Sequence, residues 1–179
     1  MKNSVKSLLQ DDHASLGQLL SELDAELAKP NIARAFELLD LFWVRLAVHI
    51  RAENLHLFPA LANADPSLFT GRDSLPTSEE AQNVLRRLRL DHDFFMNELA
   101  LTIKASRAIG GRELAPCEEI EGLRQRMTNV RERLETHNCL EEELAYVWPS
   151  LLFDNQTVAR LCDRVLRELK NLPSRFASY

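Results

Sequence analysis

Little in this 179-residue chain breaks a helix: it has only 5 glycines and 7 prolines. Strict alternation of polar and apolar residues is nearly absent, so nothing supports a sheet built from half-buried strands. Three cysteines, Cys117, Cys139 and Cys162, are scattered without a C-x-x-C pair or an even framework. That spacing excludes a disulfide scaffold and a zinc-finger pattern, and it fits reduced thiols in a cytoplasm. No run approaches the roughly 18 consecutive apolar residues of a membrane span. The N-terminal "MKNSVKSLLQDDH" turns acidic before an apolar signal region can form, so no export signal is expected. Basic residues are outnumbered, 22 Lys and Arg against 27 Asp and Glu, for a formal charge of −5. That balance argues against a nucleic-acid surface, and the short "LRRLRL" run at 85–90 reads as a solvated helix face.

What is present is helical periodicity along most of the chain. Five helices are expected. The first covers about residues 3–27 and stops before Pro30, because a residue preceding proline is pushed out of the helical region. The second covers about 32–58, where Pro59 loosens or ends it. A long connection rich in Pro, Gly, Asp and Ser follows. Thr77 with Glu80 three residues on forms a capping box for the third helix, which continues to about Ile109. "GGRELAP" breaks the chain again. The fourth runs from about Cys117 to Val147, closed by Pro149, and a shorter fifth covers about 155–172. The fold class predicted is all-α: an up-down-up-down four-helix bundle over residues 1–150 with an additional C-terminal helix over 151–179. That last helix carries Val158, Leu161, Val165 and Leu169 on one face, and would pack on the bundle or on the partner in a homodimer.

Each long helix interrupts its apolar stripe with a polar residue. Helix one reads Val5, Leu9, His13, Leu16, Leu20, Leu23, Leu27; helix three reads Leu85, Leu88, His92, Phe95, Leu99. Helix four steps through Ile120, Leu123, Met127, Val130 and Leu134 to His137, Glu141, Leu144 and Trp148. In helix two, Ile32, Phe36, Leu39, Trp43, Leu46, Ile50, Glu53 and Leu57 form the stripe, flanked by His49 and His56. All five histidines and two glutamates therefore face inward, where unpaired polar groups are costly and carboxylates need partners. Counted along antiparallel helices at about 1.5 Å per residue, they fall at one common level.

Imidazoles and carboxylates are donors for iron, manganese or zinc and poor for soft metals. Seven candidates exceed the four that one zinc uses, but they suit two irons. Glu53 and Glu141 would bridge, three histidines would complete one iron, and two would leave the other with one open position for oxygen or nitric oxide.

The motif "HIRAENLHLFP", with His49, Glu53 and Pro59, resembles the H-x-x-x-E-(five residues)-P signature of the hemerythrin-like HHE cation-binding family. "HNCLE", His137 to Glu141, is similar to the second H-x-x-x-E, and His13 and His92 match the single histidines of the first and third helices. The resemblance covers roughly residues 5–149 and implies a four-helix bundle with a non-haem di-iron centre that binds or senses oxygen, or handles nitric oxide and iron under stress. The chain departs from hemerythrins proper in three ways. The residue four after His92 is Met96, so the fifth histidine is His56 instead, either a ligand or a hydrogen-bond partner of one. Pro149 follows Glu141 by eight residues rather than six; aligning on the proline would select Cys139 and Glu143, but the apolar rhythm favours His137 and Glu141. Finally, no cysteine-rich N-terminal extension of the iron-repair type is seen.

The expected metal ligands are thus His13, His49, Glu53, His56, His92, His137 and Glu141, holding two iron ions, with manganese or zinc also possible. Two rival functions stay open: a di-iron redox enzyme acting on nitric oxide or peroxide or in iron-centre repair, and a metal-free or zinc-loaded helical interaction protein. Asp12, Asp91, Glu142 and Glu143 read as solvated or capping residues, Phe42, Trp43, Phe95 and Trp148 as core walls, and Tyr146 as surface.

Overall fold

The computed structural model describes residues 4–29, 32–70, 75–110 and 117–176. The breaks expected at Pro30 and at 111–116, and the end of the tail, lie outside them. Seven helical segments follow in order: α1 (Val5–Leu27), α2 (Ala33–Ala52), α3 (Phe58–Ala62), α4 (Ser78–Ile109), α5 (Cys117–Leu140), α6 (Trp148–Leu152) and α7 (Asn155–Leu169). Among the described residues there is no strand, and the chain is an all-helical bundle. Two π-turns, Glu53–Leu57 and Glu141–Ala145, interrupt what the sequence periodicity reads as continuous helix.

Side-chain caps set several helix starts. Ser4 Oγ accepts from Ser7 N, Asp154 Oδ1 accepts from Thr157 N, and Thr77 and Glu80 form the expected capping box at α4. Pro59 does not stop the second helical stretch. It lies in the first turn of α3, where its missing N–H costs no hydrogen bond, and α3 continues to Ala62.

Helix α1 packs against α2 and α5, and α4 against α2 and α5. Arg124, early in α5, donates to the carbonyl of Leu27 at the end of α1, and Arg131 pairs with Asp24. Helix α7 lies on α1 and α2 of the same chain, burying Leu161 and Val165.

The packing separates into two apolar layers. One holds Leu16, Leu20, Leu23, Leu38, Phe42, Leu46, Phe95, Leu99, Met127 and Val130; the other holds Leu9, Leu57, Phe58, Leu61, Leu85, Leu88, Trp148 and Val165. The polar stripe residues sit where each long helical stretch passes from one layer to the other. His13 lies between Leu9 and Leu16, His92 between Leu88 and Phe95, Glu53 between Ile50 and Leu57, and Glu141 between Leu134 and Ala145.

Candidate metal centre

His13, His49, His92 and His137 are at most 7% exposed, and Glu53 and Glu141 are fully buried. Their donor atoms converge in two groups. Those of Glu53, His92, His137 and Glu141 lie within 4.8 Å of one another, as do those of His13, His49 and Glu141. Glu141 divides its oxygens between the groups, and Glu53 Oε2 lies between them, 3.5 Å from His49 Nε2. Glu141 Oε2 lies 3.3 Å from His13 Nε2, while Glu141 Oε1 lies 3.0 Å from His137 Nε2. Glu53 Oε2 lies 3.2 Å from His92 Nε2. That arrangement can hold two cations with the glutamates between them.

All four rings are aimed by the nitrogen facing away from the centre. Asp12 Oδ2 accepts from His49 Nδ1 at 2.9 Å, and Glu142 Oε1 accepts from His13 Nδ1 at 2.8 Å. The corresponding contacts on the other side are longer, Asp91 Oδ2 to His137 Nδ1 and Asn54 Oδ1 to His92 Nδ1, both 3.4 Å. Arg45 and Arg133 in turn anchor Asp12 and Asp91. An imidazole committed through Nδ1 presents an unprotonated Nε2 to a metal, and such outer oxygens both orient the ring and raise its basicity. Glu53 Oε2, His92 Nε2 and Glu141 Oε1 are buried and have no hydrogen-bond partner; the contacts among them lack hydrogen-bond geometry. Buried donors left unpaired in this way are costly unless a cation uses them, so the residues fit a metal.

Without a cation, protons balance the charge. Burial alone would lower the pKa of His49, but Glu53 and the hydrogen bond to Asp12 hold it well above its ordinary value. His92 is likewise opposed by burial yet pushed up to about 9 by Glu141 and Glu53. Burial would raise Glu141, and His137 with its neighbouring imidazoles brings it well below the usual carboxylate range instead. Burial and Glu141 push Glu53 up, but His49 and His92 leave it lowered.

The sequence reading missed one inward group. Tyr146, expected at the surface, is 1% exposed. Its hydroxyl lies 2.6 Å from Glu53 Oε1 and 3.0 Å from Glu141 Oε2, to either of which it can donate, and 3.0 and 3.3 Å from Nε2 of His13 and His49. Burial, then the two carboxylates, raise its pKa well above that of an ordinary phenol. The cause of its position is the π-turn at Glu141. There the N–H of Tyr146 bonds to the carbonyl of Glu141, an i→i+5 bond that takes in one extra residue. The inward phase then shifts from Leu144 to Ala145 and Tyr146.

A matching π-turn begins at Glu53, and it corrects the expectation for His56. Three residues into a widened turn, His56 is rotated off the inward stripe while Leu57 and Phe58 turn in. Its ring lies outside the cluster, 22% exposed, with Nε2 3.8 Å from Glu168 Oε2 on α7. The structure brings together the other six expected residues and not this one. Asp12, Asp91 and Glu142 are corrected as well: each holds a ring on a neighbouring helix, and of the three only Glu142 keeps about a third of its side chain, 32%, in solvent. A signal for Tyr146 was available in the sequence, since superposing the two H-x-x-x-E motifs places an aromatic residue, Phe58 or Tyr146, five positions after each glutamate.

No curated protein and no solved structure matches the chain. A family model for the hemerythrin HHE cation-binding domain does match, over residues 5–149. That span contains both H-x-x-x-E motifs, both single histidines and both π-turns, and the chain belongs to the hemerythrin HHE cation-binding domain family.

Proposed function

We propose that this chain is a non-haem di-iron protein that binds or senses oxygen, or a related diatomic such as nitric oxide, within an up-down-up-down bundle. One observation carries the reading: four imidazoles, each held through its outer nitrogen, turn Nε2 toward two fully buried carboxylates. Four nitrogens with two carboxylates exceed what a four-coordinate zinc uses, and hard-to-borderline donors of this kind suit iron or manganese. When bound, a reduced iron pair supplies the electrons that an incoming diatomic needs. The protein's own part is to orient the rings, keep water out with Phe58 and Phe95 stacked and edged on His92 and His137, and hold the charge. Contacts that run in opposite senses along neighbouring helices, such as Leu27 with Arg124 and Asp12 with His49, support the alternating topology.

A second reading is redox turnover of nitric oxide or peroxide at the same centre. It gains from His56 lying outside, which leaves two imidazoles on each side and no histidine to fill one position more than the other. No helix among the described residues is long and apolar enough to cross a membrane, and three cysteines scattered without a C-x-x-C pair support a cytoplasmic setting. Metal analysis of protein purified without added metal, then anaerobic reconstitution with ferrous iron and exposure to air or nitric oxide, tests the proposal. An absorption that appears with gas and reverses under vacuum supports binding; sustained product release supports turnover. Protein that takes up no iron refutes both.

A further inference from the structure

The centre is nearly two-fold repeated. Asp12-His13 on α1 and Arg45, His49, Glu53 of the second helical stretch are matched by Asp91-His92 on α4 and Arg133, His137, Glu141 of the fourth helical stretch. Each aspartate takes the arginine and the histidine of the following helix, and each glutamate opens a π-turn. The repeat breaks where an aromatic side chain enters. Five residues after Glu53 stands Phe58, stacked on His92 with ring centroids 5.4 Å apart. Five residues after Glu141 stands Tyr146, whose oxygen reaches the point on which His13, His49, Glu53 and Glu141 all converge.

Resting on the di-iron reading above, we propose that Tyr146 supplies its phenolic oxygen as a donor to the cation held by His13 and His49, making the two cation positions unequal. That position then has two imidazoles, two carboxylates and a phenolic oxygen. The position between His92 and His137 has two imidazoles and two carboxylates, faces the inert ring of Phe58, and is one protein donor short. An incoming diatomic would have its open position there. Tyr146 thereby takes the part that sequence spacing gave to His56.

Other observations point the same way. Two carboxylate oxygens and two imidazole nitrogens surround the Tyr146 hydroxyl at 2.6–3.3 Å, whereas the inward atoms of the other half, Glu53 Oε2, His92 Nε2 and Glu141 Oε1, have no hydrogen-bond partner. The outer partners are unequal too. Anionic Glu142 holds His13 at 2.8 Å, while neutral Asn54 holds His92 at 3.4 Å. Both differences enrich the Tyr146 side in oxygen and negative charge, which favours a highly charged cation at that position. Coordination exchanges the phenolic O–H bond for an oxygen–cation bond; the proton leaves to solvent and no electron moves in that step.

The test uses the full-length chain, loaded anaerobically with ferrous iron and then oxidised in air, with iron stoichiometry, visible absorption and resonance Raman as readouts. Two irons per chain with a phenolate-to-iron band and phenolate ring modes are expected. Those modes shift when ring-deuterated tyrosine is incorporated, a measurement that needs no variant. The band disappears in Y146F and survives in Y179F, the chain having only two tyrosines. Two irons with no phenolate modes overturn the assignment and leave the di-iron reading standing. Modes that survive Y146F overturn it equally. Absence of bound iron overturns both.

Discussion

Raising the pH of the metal-free protein from 6.5 toward 9 is expected to lower its unfolding temperature steadily. His92 is held protonated up to about 9 by Glu141 and Glu53, against its ordinary 6.5. A group whose folded pKa is raised contributes stability that is fully present below its unfolded pKa and lost as pH climbs through the folded one. At about 1.4 kcal/mol per pKa unit, the contribution of His92 is on the order of 3 kcal/mol. For a domain of this size, that corresponds to a fall of about 6–12 °C in midpoint. His49 acts in the same direction, but it shares Glu53 with His92, so the two do not add in full. On the acid side Glu53 and Glu141, both lowered, contribute stability present above 4.5 and lost as pH falls below it. Metal-free protein is therefore most stable between these limits.

Thermal unfolding followed by circular dichroism, in excess chelator at several pH values, measures this directly. His92→Gln should flatten the slope above pH 6.5. In iron-loaded protein the slope should vanish or reverse, because a ligating imidazole cannot keep that proton and cations compete better as protons thin out. A midpoint that is level or rising through the same window in metal-free protein refutes the proton-balanced picture of the site.

Asp12→Asn should weaken iron binding by about 10- to 100-fold in a competition titration, since it removes the anion that fixes the His49 ring. Asp91→Asn should cost less, because its contact with His137 is 3.4 Å rather than 2.9 Å. His56→Ala should leave iron stoichiometry unchanged by metal analysis, and loss of an iron would show that the π-turn argument is wrong. Leu23→Ala, at a fully buried site in the layer that holds Phe42 and Phe95, should destabilise by about 2–5 kcal/mol in denaturant titrations without altering iron content.

The sequence was legible wherever the helix keeps a constant pitch. Leu9, His13 and Leu16, or Leu88, His92 and Phe95, advance in steps of three and four, and the structure buries all of them. Pitch changes defeated the same counting. Beyond Glu53 and Glu141 each π-turn takes in an extra residue, so the stripe extrapolated through Leu144 misses Tyr146, and the count that turned His56 inward fails for the same reason. Helix two was misphased more mildly: Phe36 and Trp43 are only half-buried, and Ala35, Leu38 and Phe42 carry the inward face. The outer partners escaped for a different reason. Asp12 and Asp91 each stand beside a histidine in sequence, where helix geometry is poor for pairing, but each reaches a ring on the following helix. Pairing between helices is set by tertiary packing, which no local period encodes.

A buried layer of seven titratable groups, Tyr146 included, is expensive in the middle of a bundle, and the placement of the apolar residues explains how the fold accommodates it. Packed leucines and aromatics lie on both sides of the layer, so neither needs the centre to complete it. Within the layer the two carboxylates are never left facing each other uncompensated: imidazolium protons on His49 and His92 offset them when no cation is bound. A cation that enters displaces those protons rather than filling an uncharged cavity. Binding is then an exchange of one set of positive charges for another inside a scaffold already held in place, with little reordering to oppose it. Small domains that fold only around their metal lack such flanking layers. Here the flanking layers free the centre from a structural role, and its donors can be arranged unequally, Tyr146 on one side and Phe58 on the other, without loss of the fold.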